Sequence, residues 1–351
     1  MRLPPILVAA ATAAATAVSM AAPAQAAPAP LIENLAGPLS FSVDHGKIVV
    51  AQSFGGKLTR FGIDGSGGTD LVTRNPKIEI GAVEAAGPGT LFALTGKNKS
   101  GKKFAKLVHL AADGTMTTRA NLRAFERKNN PDKSVLYGFR DLSTTCAKKV
   151  PKQAGGGDPT NGTVDSHPYA TAMLPSGAVL VADAAGNDLL RVSKTGRTSV
   201  VAVLPPQPLR ITKAVAKGQH LPGCTAGHKY YFEPVPTDVE VRDHLAYVTT
   251  LPGGPEDPSL GARGKVYTVN LLNGDITQIG RHFLGATGLA VSPAGKVYVA
   301  ELFGNRISTI SDGKRKKVLS ISQPSAIEWH NGHLFTTSNS LTNGSIIRLT
   351  P

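Results

Sequence analysis

Two carboxylates hold the same place in two dodecamers of one pattern. They are Asp183 in V-L-V-A-D-A-A-G-N-D-L-L (179–190) and Glu301 in V-Y-V-A-E-L-F-G-N-R-I-S (297–308). Oxygen donors at matching places in a repeat meet in space if the repeats surround an axis, and such donors suit a hard divalent cation, calcium first. The same spot in looser copies of the pattern holds Gln52, Thr95, Thr250 and Ser338, and each of the six lies 14 or 15 residues beyond the start of its repeat. The starts are Pro38, Ile80, Pro168, Pro236, Ala286 and Pro324. His167 and Asp238, beside or within two of the first strands, complete a ligand set for a channel mouth: Gln52, Thr95, His167, Asp183, Asp238, Thr250, Glu301 and Ser338. Only Asp183 and Glu301 are carboxylates among the six equivalent places, which makes them the metal candidates of a sparse site. The plainer reading is structural: Asp183 with Asn187, and Glu301 with Asn305, bond turn amides at the start of a hairpin.

These residues must be carried by short strands. Each unit reads as an apolar strand, a turn, a second apolar strand, a third ending at a pair such as Asp64-Gly65, Asp113-Gly114, Thr195-Gly196, Asn273-Gly274 or Asp312-Gly313, and a short fourth. Such pairs accept the positive φ of tight hairpin loops. A four-stranded sheet of this size buries neither face alone, whereas sheets packed radially bury each other. The expected fold is therefore all-β, a six-bladed β-propeller of four-stranded antiparallel blades near 38–75, 80–120, 168–204, 236–280, 286–321 and 324–350. The last copy is a strand short, and 31–35 is expected to supply it and close the ring. Three stretches exceed the repeat, 120–165, 205–235 and 251–263; Gly155-Gly-Gly-Asp-Pro and Leu204-Pro-Pro-Gln-Pro make surface loops of the first two.

Residues 1–26 read as a secretory signal ending in Ala24-Gln-Ala26, so the mature chain is expected outside the cytoplasm, soluble and monomeric, without a membrane span. Cysteine occurs twice, and in an exported chain Cys146 and Cys224 favour a disulfide; His220, Cys224 and His228 leave a zinc site as the alternative. The net charge of +14 comes from runs such as Lys97–Lys106, Arg123–Lys133, Lys148–Lys152 and Lys314–Lys317. Without interleaved aromatics these runs do not suggest specific nucleic-acid binding; they suit a solvated face or attraction to anionic cell-envelope polymers. No H-E-x-x-H, G-x-S-x-G, P-loop or G-x-G-x-x-G pattern is present. His330 and His333 flank the Asn331-Gly332 turn, and Trp329 ends a first strand in a core position.

Asp165-Ser-His-Pro-Tyr169, the 179–190 dodecamer, Val200-Val-Ala-Val-Leu-Pro-Pro206 and Pro234-Val-Pro-Thr-Asp238 together resemble the ScyD/ScyE family. The resemblance spans about 165–350, and the basic 97–133 segment departs from it. It implies an exported, NHL-type propeller and no particular reaction. The expected function is thus a non-enzymatic propeller that binds a small molecule, glycan or protein at its channel mouth and long loops. The alternative is a metal-dependent lactonase, hydrolase or lyase using Asp183, Glu301, Asp238 and His167.

Overall fold

The computed structural model describes residues 29–255 and 258–350, so the expected signal segment lies outside the described residues. Strand β1 (Pro30–Leu35) precedes a meander of β2 (Pro38–Asp44), β3 (Lys47–Gln52), β4 (Lys57–Gly62) and β5 (Thr69–Thr73). A second meander comprises β6 (Glu79–Ala86), β7 (Gly89–Lys97), β8 (Lys103–Leu110) and β9 (Met116–Asn121). Then come α1 (Leu122–Asn129), β10 (Leu136–Phe139), α2 (Thr144–Ala147) and β11 (Thr160–Asn161). The third meander is β12 (Pro168–Met173), β13 (Val179–Asp183), β14 (Asp188–Val192) and β15 (Thr198–Val203), followed by β16 (Gln207–Arg210), α3 (Lys213–Gly218) and β17 (Lys229–Phe232). Two further meanders follow, β18 (Pro236–Arg242), β19 (Leu245–Thr250), β20 (Gly264–Asn270), β21 (Ile276–Phe283), and β22 (Ala286–Val291), β23 (Val297–Glu301), β24 (Arg306–Ser311), β25 (Lys314–Ser320). The chain ends with β26 (Ile327–His330), β27 (His333–Ser338) and β28 (Gly344–Leu349).

β1 pairs antiparallel with β28, Leu35 opposite Gly344, and becomes the fourth strand of the last sheet. The described residues form seven four-stranded sheets where the repeat count leads one to expect six. The additional sheet, in the order β11-β10-β17-β16, is drawn from both long insertions, which are therefore not merely loops.

The other six sheets share one packing logic. Their first strands, β2, β6, β12, β18, β22 and β26, touch in cyclic order, β26 returning to β2. An apolar cluster fills each seam: Val72 and Phe92 between the first two meanders, Leu107 and Val181 in the next seam, Leu180 and Val248 in the third. Phe283 with Val299, Tyr298 with Leu334, and Phe335 with Phe41 fill the remaining three. This sandwiching explains the second strands. Val179–Asp183 and Val297–Glu301 are buried throughout, because both faces meet a neighbouring sheet, and so they read as continuous apolar runs rather than alternating ones. The turn after each is set by Asn187 (φ 57°) and Asn305 (φ 50°), a left-handed conformation that asparagine tolerates. Their carbonyls accept the amides of Leu204 and Ile321, tying the end of the fourth strand to the turn.

The seventh sheet has its own small core of Phe139, Val150, Ile211 and Ala216. A Cys146–Cys224 disulfide spans 78 residues and joins the two insertions that build it. Both sulfurs are consumed, which removes the thiolate that a zinc site at His220, Cys224 and His228 would need.

Candidate functional site

In an antiparallel meander, the end of the second strand lies at the same rim as the start of the first. Both insertions leave from fourth strands, β9 and β15, and return to first strands, and 251–263 joins β19 to β20, so all three emerge on the rim that carries Gln52, Thr95, Asp183, Thr250, Glu301 and Ser338.

On that rim Gln52, Asp183, Thr250 and Glu301 act as stitches. Gln52 Oε1 accepts the amide of Ala36 (3.0 Å), Asp183 Oδ1 that of His167 (2.6 Å), and Glu301 Oε2 that of Leu284 (2.7 Å). In each case the end of the second strand holds the chain approaching the first. Gln52 also donates to Thr59 (2.8 Å), and Ser308, seven residues after Glu301 as Thr59 is after Gln52, donates to Glu301. Glu301 is fully buried and forms a two-point pair with Arg306 (2.9 and 3.0 Å) and a contact with Arg315 (3.2 Å). Asp183 is shorter and takes Ser166 Oγ (2.6 Å) and the turn amide of Gly186 (3.2 Å) instead. Glutamate thus reaches two arginines where aspartate reaches a serine. Thr250 accepts from Gln207 Nε2 (2.7 Å), joining β19 to the seventh sheet. Thr95 pairs with Glu79 across β6, and Ser338 with Ser345 across β28. Among the described residues no hydrogen bond or ion pair joins any of these six to another, and no three His, Cys, Asp or Glu side chains are arranged to hold a metal ion.

His167 and Asp238 have separate roles. The His167 ring contacts Glu79 Oε2 (2.9 Å); burial works against its charge, but the Glu79 carboxylate outweighs it and lifts the imidazole above its ordinary value. Asp238 accepts the amides of Leu289 (2.6 Å) and Val239 (2.8 Å) at the axis. There, residues at all six first strands, Ser40, Val83, Thr171, Asp238, Thr287 and Glu328 among them, line a void of about 20 Å³. That is room for roughly one water molecule. Burial, reinforced by repulsion from neighbouring carboxylates, pushes Glu84 up to about 8, and burial alone takes Asp238 to about 7. Glu240 and Glu328 are raised well above the usual range by the same burial and mutual repulsion. At this depth the axis is a narrow, proton-holding seam.

The roomy site lies on the seventh sheet. A cavity of about 720 Å³ is walled by Tyr137, Tyr230, Tyr231 and Phe232, floored by Ile211, Val215 and Leu221, and edged by polar groups of Gln153, Asn161, Gln219 and Glu233. The rings are braced: Tyr230 packs on Phe232 at 4.5 Å and edge-on to Phe139 at 5.0 Å, and the guanidinium of Arg140 lies 3.6 Å from the Tyr231 centroid. Arg263 covers Phe232 at 4.5 Å.

Beneath the cavity, Asn187 clamps both insertions to the third meander. Its Nδ2 donates to Asp132 (3.0 Å) and Glu233 (3.2 Å), and its Oδ1 accepts from the amide of Val235 (3.3 Å). The Tyr137 hydroxyl also donates to Asp132 (3.0 Å). Burial followed by Asp132 holds the Tyr137 phenol far above its ordinary value, and burial followed by Glu233 raises that of Tyr230. Glu126 and Asp188, both almost fully buried, adjoin this cluster. Burial, then Asp183 and Asp132, pushes Glu126 up to about 8; burial and the same carboxylate neighbours raise Asp188 well above the usual range. The cavity therefore offers aromatic faces, phenols and amide groups, together with the Glu233 carboxyl and the His220 imidazole.

Sequence reasoning missed this cavity because its strands sit inside stretches that Gly and Pro mark as loops. The signal was Lys229-Tyr-Tyr-Phe232, which places two of only 7 tyrosines in the chain side by side with a phenylalanine.

No family model matches the chain, and no curated protein matches it. Solved structures do. A glucose dehydrogenase is similar with a TM-score of 0.54 and 11% identity, over 93% of this chain and 99% of that one. A luciferin-regenerating enzyme gives a TM-score of 0.53 and 11% identity, over 91% and 92%. The virginiamycin B lyase of Staphylococcus aureus gives 0.50 and 13%, over 89% and 95%. At such identities the likeness establishes the fold, a β-propeller, and carries no activity with it. Among the described residues no helix is long and apolar enough to cross a membrane.

Proposed function

We propose that the protein is an exported propeller that binds a small molecule or glycan, presenting a ring to the aromatic cavity of its seventh sheet. The observation that carries this is the cavity itself, about 720 Å³ with three tyrosines and a phenylalanine on its walls, a volume within the usual range for ligand sites. Aromatic faces stack on sugar or other rings while the amide side chains of Gln153, Asn161 and Gln219 supply directional bonds. Six of the seven sheets are the blades, a reading supported by six apolar seams and six first strands in cyclic contact. The β1–β28 pairing supports closure of that ring by the N-terminal strand, and the seventh sheet is a cap carried on one rim. The disulfide supports an oxidising compartment outside the cytoplasm. The ScyD/ScyE resemblance supports the same location and fold. Metal-dependent hydrolysis or lysis at the channel mouth has less support, since Asp183 and Glu301 have their oxygens committed to amides, hydroxyls and arginines.

The test is saturation-transfer NMR on the mature chain with a panel of aryl glycosides and N-acetylated disaccharides. Ring protons of at least one member receive saturation, and the signal disappears in Tyr231→Ala with Phe232→Ala while the circular dichroism of the sheets is unchanged. A signal that survives this double substitution places the ligand elsewhere, and no signal from any panel member removes the glycan reading.

A further inference from the structure

We propose a second, independent site: a basic groove on the β6–β9 sheet that binds a linear phosphate polymer. The groove has a volume of about 450 Å³ and gathers six cationic side chains, Arg74, Lys102, Lys103, Lys106, Arg123 and Arg127. They come from the turn before β6, the β7–β8 connection, β8 and helix α1, segments that only folding brings together. Among the described residues one carboxylate answers them: Asp165, paired with Lys103 (2.6 Å) and Arg123 (2.9 Å). Arg74 has a buried Nε without a hydrogen-bond partner and its Nη2 against the Met116 sulfur at 3.8 Å.

Six like charges around one concavity repel each other, and a folded chain tolerates this at least cost when an anion sits among them. The floor is apolar, Ile78, Leu94 and Phe104, which keeps water from one side and strengthens the attraction. Charge decides the size of the occupant. One phosphate monoester brings about −2, too little for five cations in excess of Asp165, whereas a polymer brings a charge with every repeat. Three arginines decide its chemistry, since the planar guanidinium fork matches phosphate oxygens in pairs. Single-stranded nucleic acid binds with successive bases stacked on aromatics, and the groove has only Phe104. The occupant is therefore a phosphate chain without bases.

The experiment is fluorescence anisotropy of labelled linear polyphosphate with the mature chain, against labelled polyglutamate of equal charge and labelled oligothymidylate. Arg74→Ala, Lys106→Ala and Arg127→Ala are combined in one variant. A control variant loses the same charge from the exposed strand β25, by Lys314→Ala, Lys316→Ala and Lys317→Ala. The groove variant binds polyphosphate at least about 30-fold more weakly, with the slope of log K on log salt reduced by about 2. The control loses no more than about threefold. Should the groove variant unfold, Lys102→Glu, a reversal at an exposed turn, replaces it with at least a tenfold loss expected. Equal losses in groove and control variants would reduce the effect to net charge and overturn the site. Binding of polyglutamate or oligothymidylate as tight as polyphosphate would overturn the phosphate-polymer assignment, as would failure to bind polyphosphate.

Discussion

Replacing Glu301 with glutamine tests whether the rim residues are stitches or spare ligands. The carboxylate is fully buried, bonded to the Leu284 amide and Ser308 hydroxyl, and faces Arg306 and Arg315, whose side chains are 23% and 28% exposed. Glutamine keeps an acceptor for the Leu284 amide, as Gln52 does for the Ala36 amide in its own sheet, but puts an NH₂ where Ser308 and Arg306 donate to Oε1 and leaves both guanidinium groups without a counter-charge. Breaking a buried pair from one side costs about 3–5 kcal/mol. Partial exposure of both arginines lets water share the burden, which brings the expected loss to roughly 2–4 kcal/mol. For a chain of this size that lowers the melting temperature by about 3–6 °C. Differential scanning calorimetry at neutral pH reads it directly. Combining Glu301→Gln with Arg306→Gln removes one stranded charge and recovers part of the loss. A melting temperature of Glu301→Gln within about 1 °C of the parent would refute the reasoning, because an oxygen pair that stability does not need is free to hold a ligand.

Glu126, with its carboxyl at about 8 when folded against 4.5 ordinarily, keeps a proton that the unfolded chain releases. That stabilisation is complete below about 4.5 and is lost as pH rises through about 8, so Glu126→Gln matches the parent at pH 4 and exceeds it in urea melts at pH 9 by about 2 kcal/mol or more. Equal stability at pH 9 would count against a protonated Glu126. The disulfide closes 78 residues, a constraint of about 4 kcal/mol in the chain-entropy picture; Cys146→Ser with Cys224→Ser therefore exposes Lys148, Lys149 and Lys152 to trypsin at least tenfold faster while the other six sheets resist. A cleavage pattern unchanged from the parent would show that the seventh sheet is held by other contacts.

Six of the sheets were legible because a sandwiched sheet writes a recognisable pattern: buried second strands as apolar runs and, after β13 and β23, a Gly-Asn pair where the next turn needs positive φ. Repetition at 183 and 301 made the equivalence visible before any geometry. Repetition does not by itself assign chemistry. Matching places do meet one rim, but a short or long carboxylate there serves whichever donors its own sheet supplies, Ser166 in one case and Arg306 with Arg315 in the other. The seventh sheet was illegible for the opposite reason. Its strands are only two to four residues long, drawn from segments 46 or more residues apart in β11 and β16, and their pairing depends on a disulfide and on Asn187, none of which leaves a local periodicity.

The interior and the surface of this molecule are electrostatically coupled. A formal charge of +14 assumes that every Asp and Glu is ionised at neutral pH. The structure removes several of them from that count. Glu84 at about 8, Asp238 at about 7 and Glu126 at about 8, with Glu240, Glu328 and Asp188 also raised well above the usual range, hold protons in the axis and beside the seventh sheet. Each retained proton adds to the positive field that reaches the groove of Arg74, Lys102 and Lys106. Attraction for a polyanion should accordingly weaken as pH rises from about 6 to 9, an interval in which histidines, His167 among them, also shed charge while the polymer's internal phosphates keep theirs. A groove acting through its own side chains alone would show no such slope, so the pH dependence of polyphosphate binding at low salt separates a local site from one that is strengthened by the protonated core.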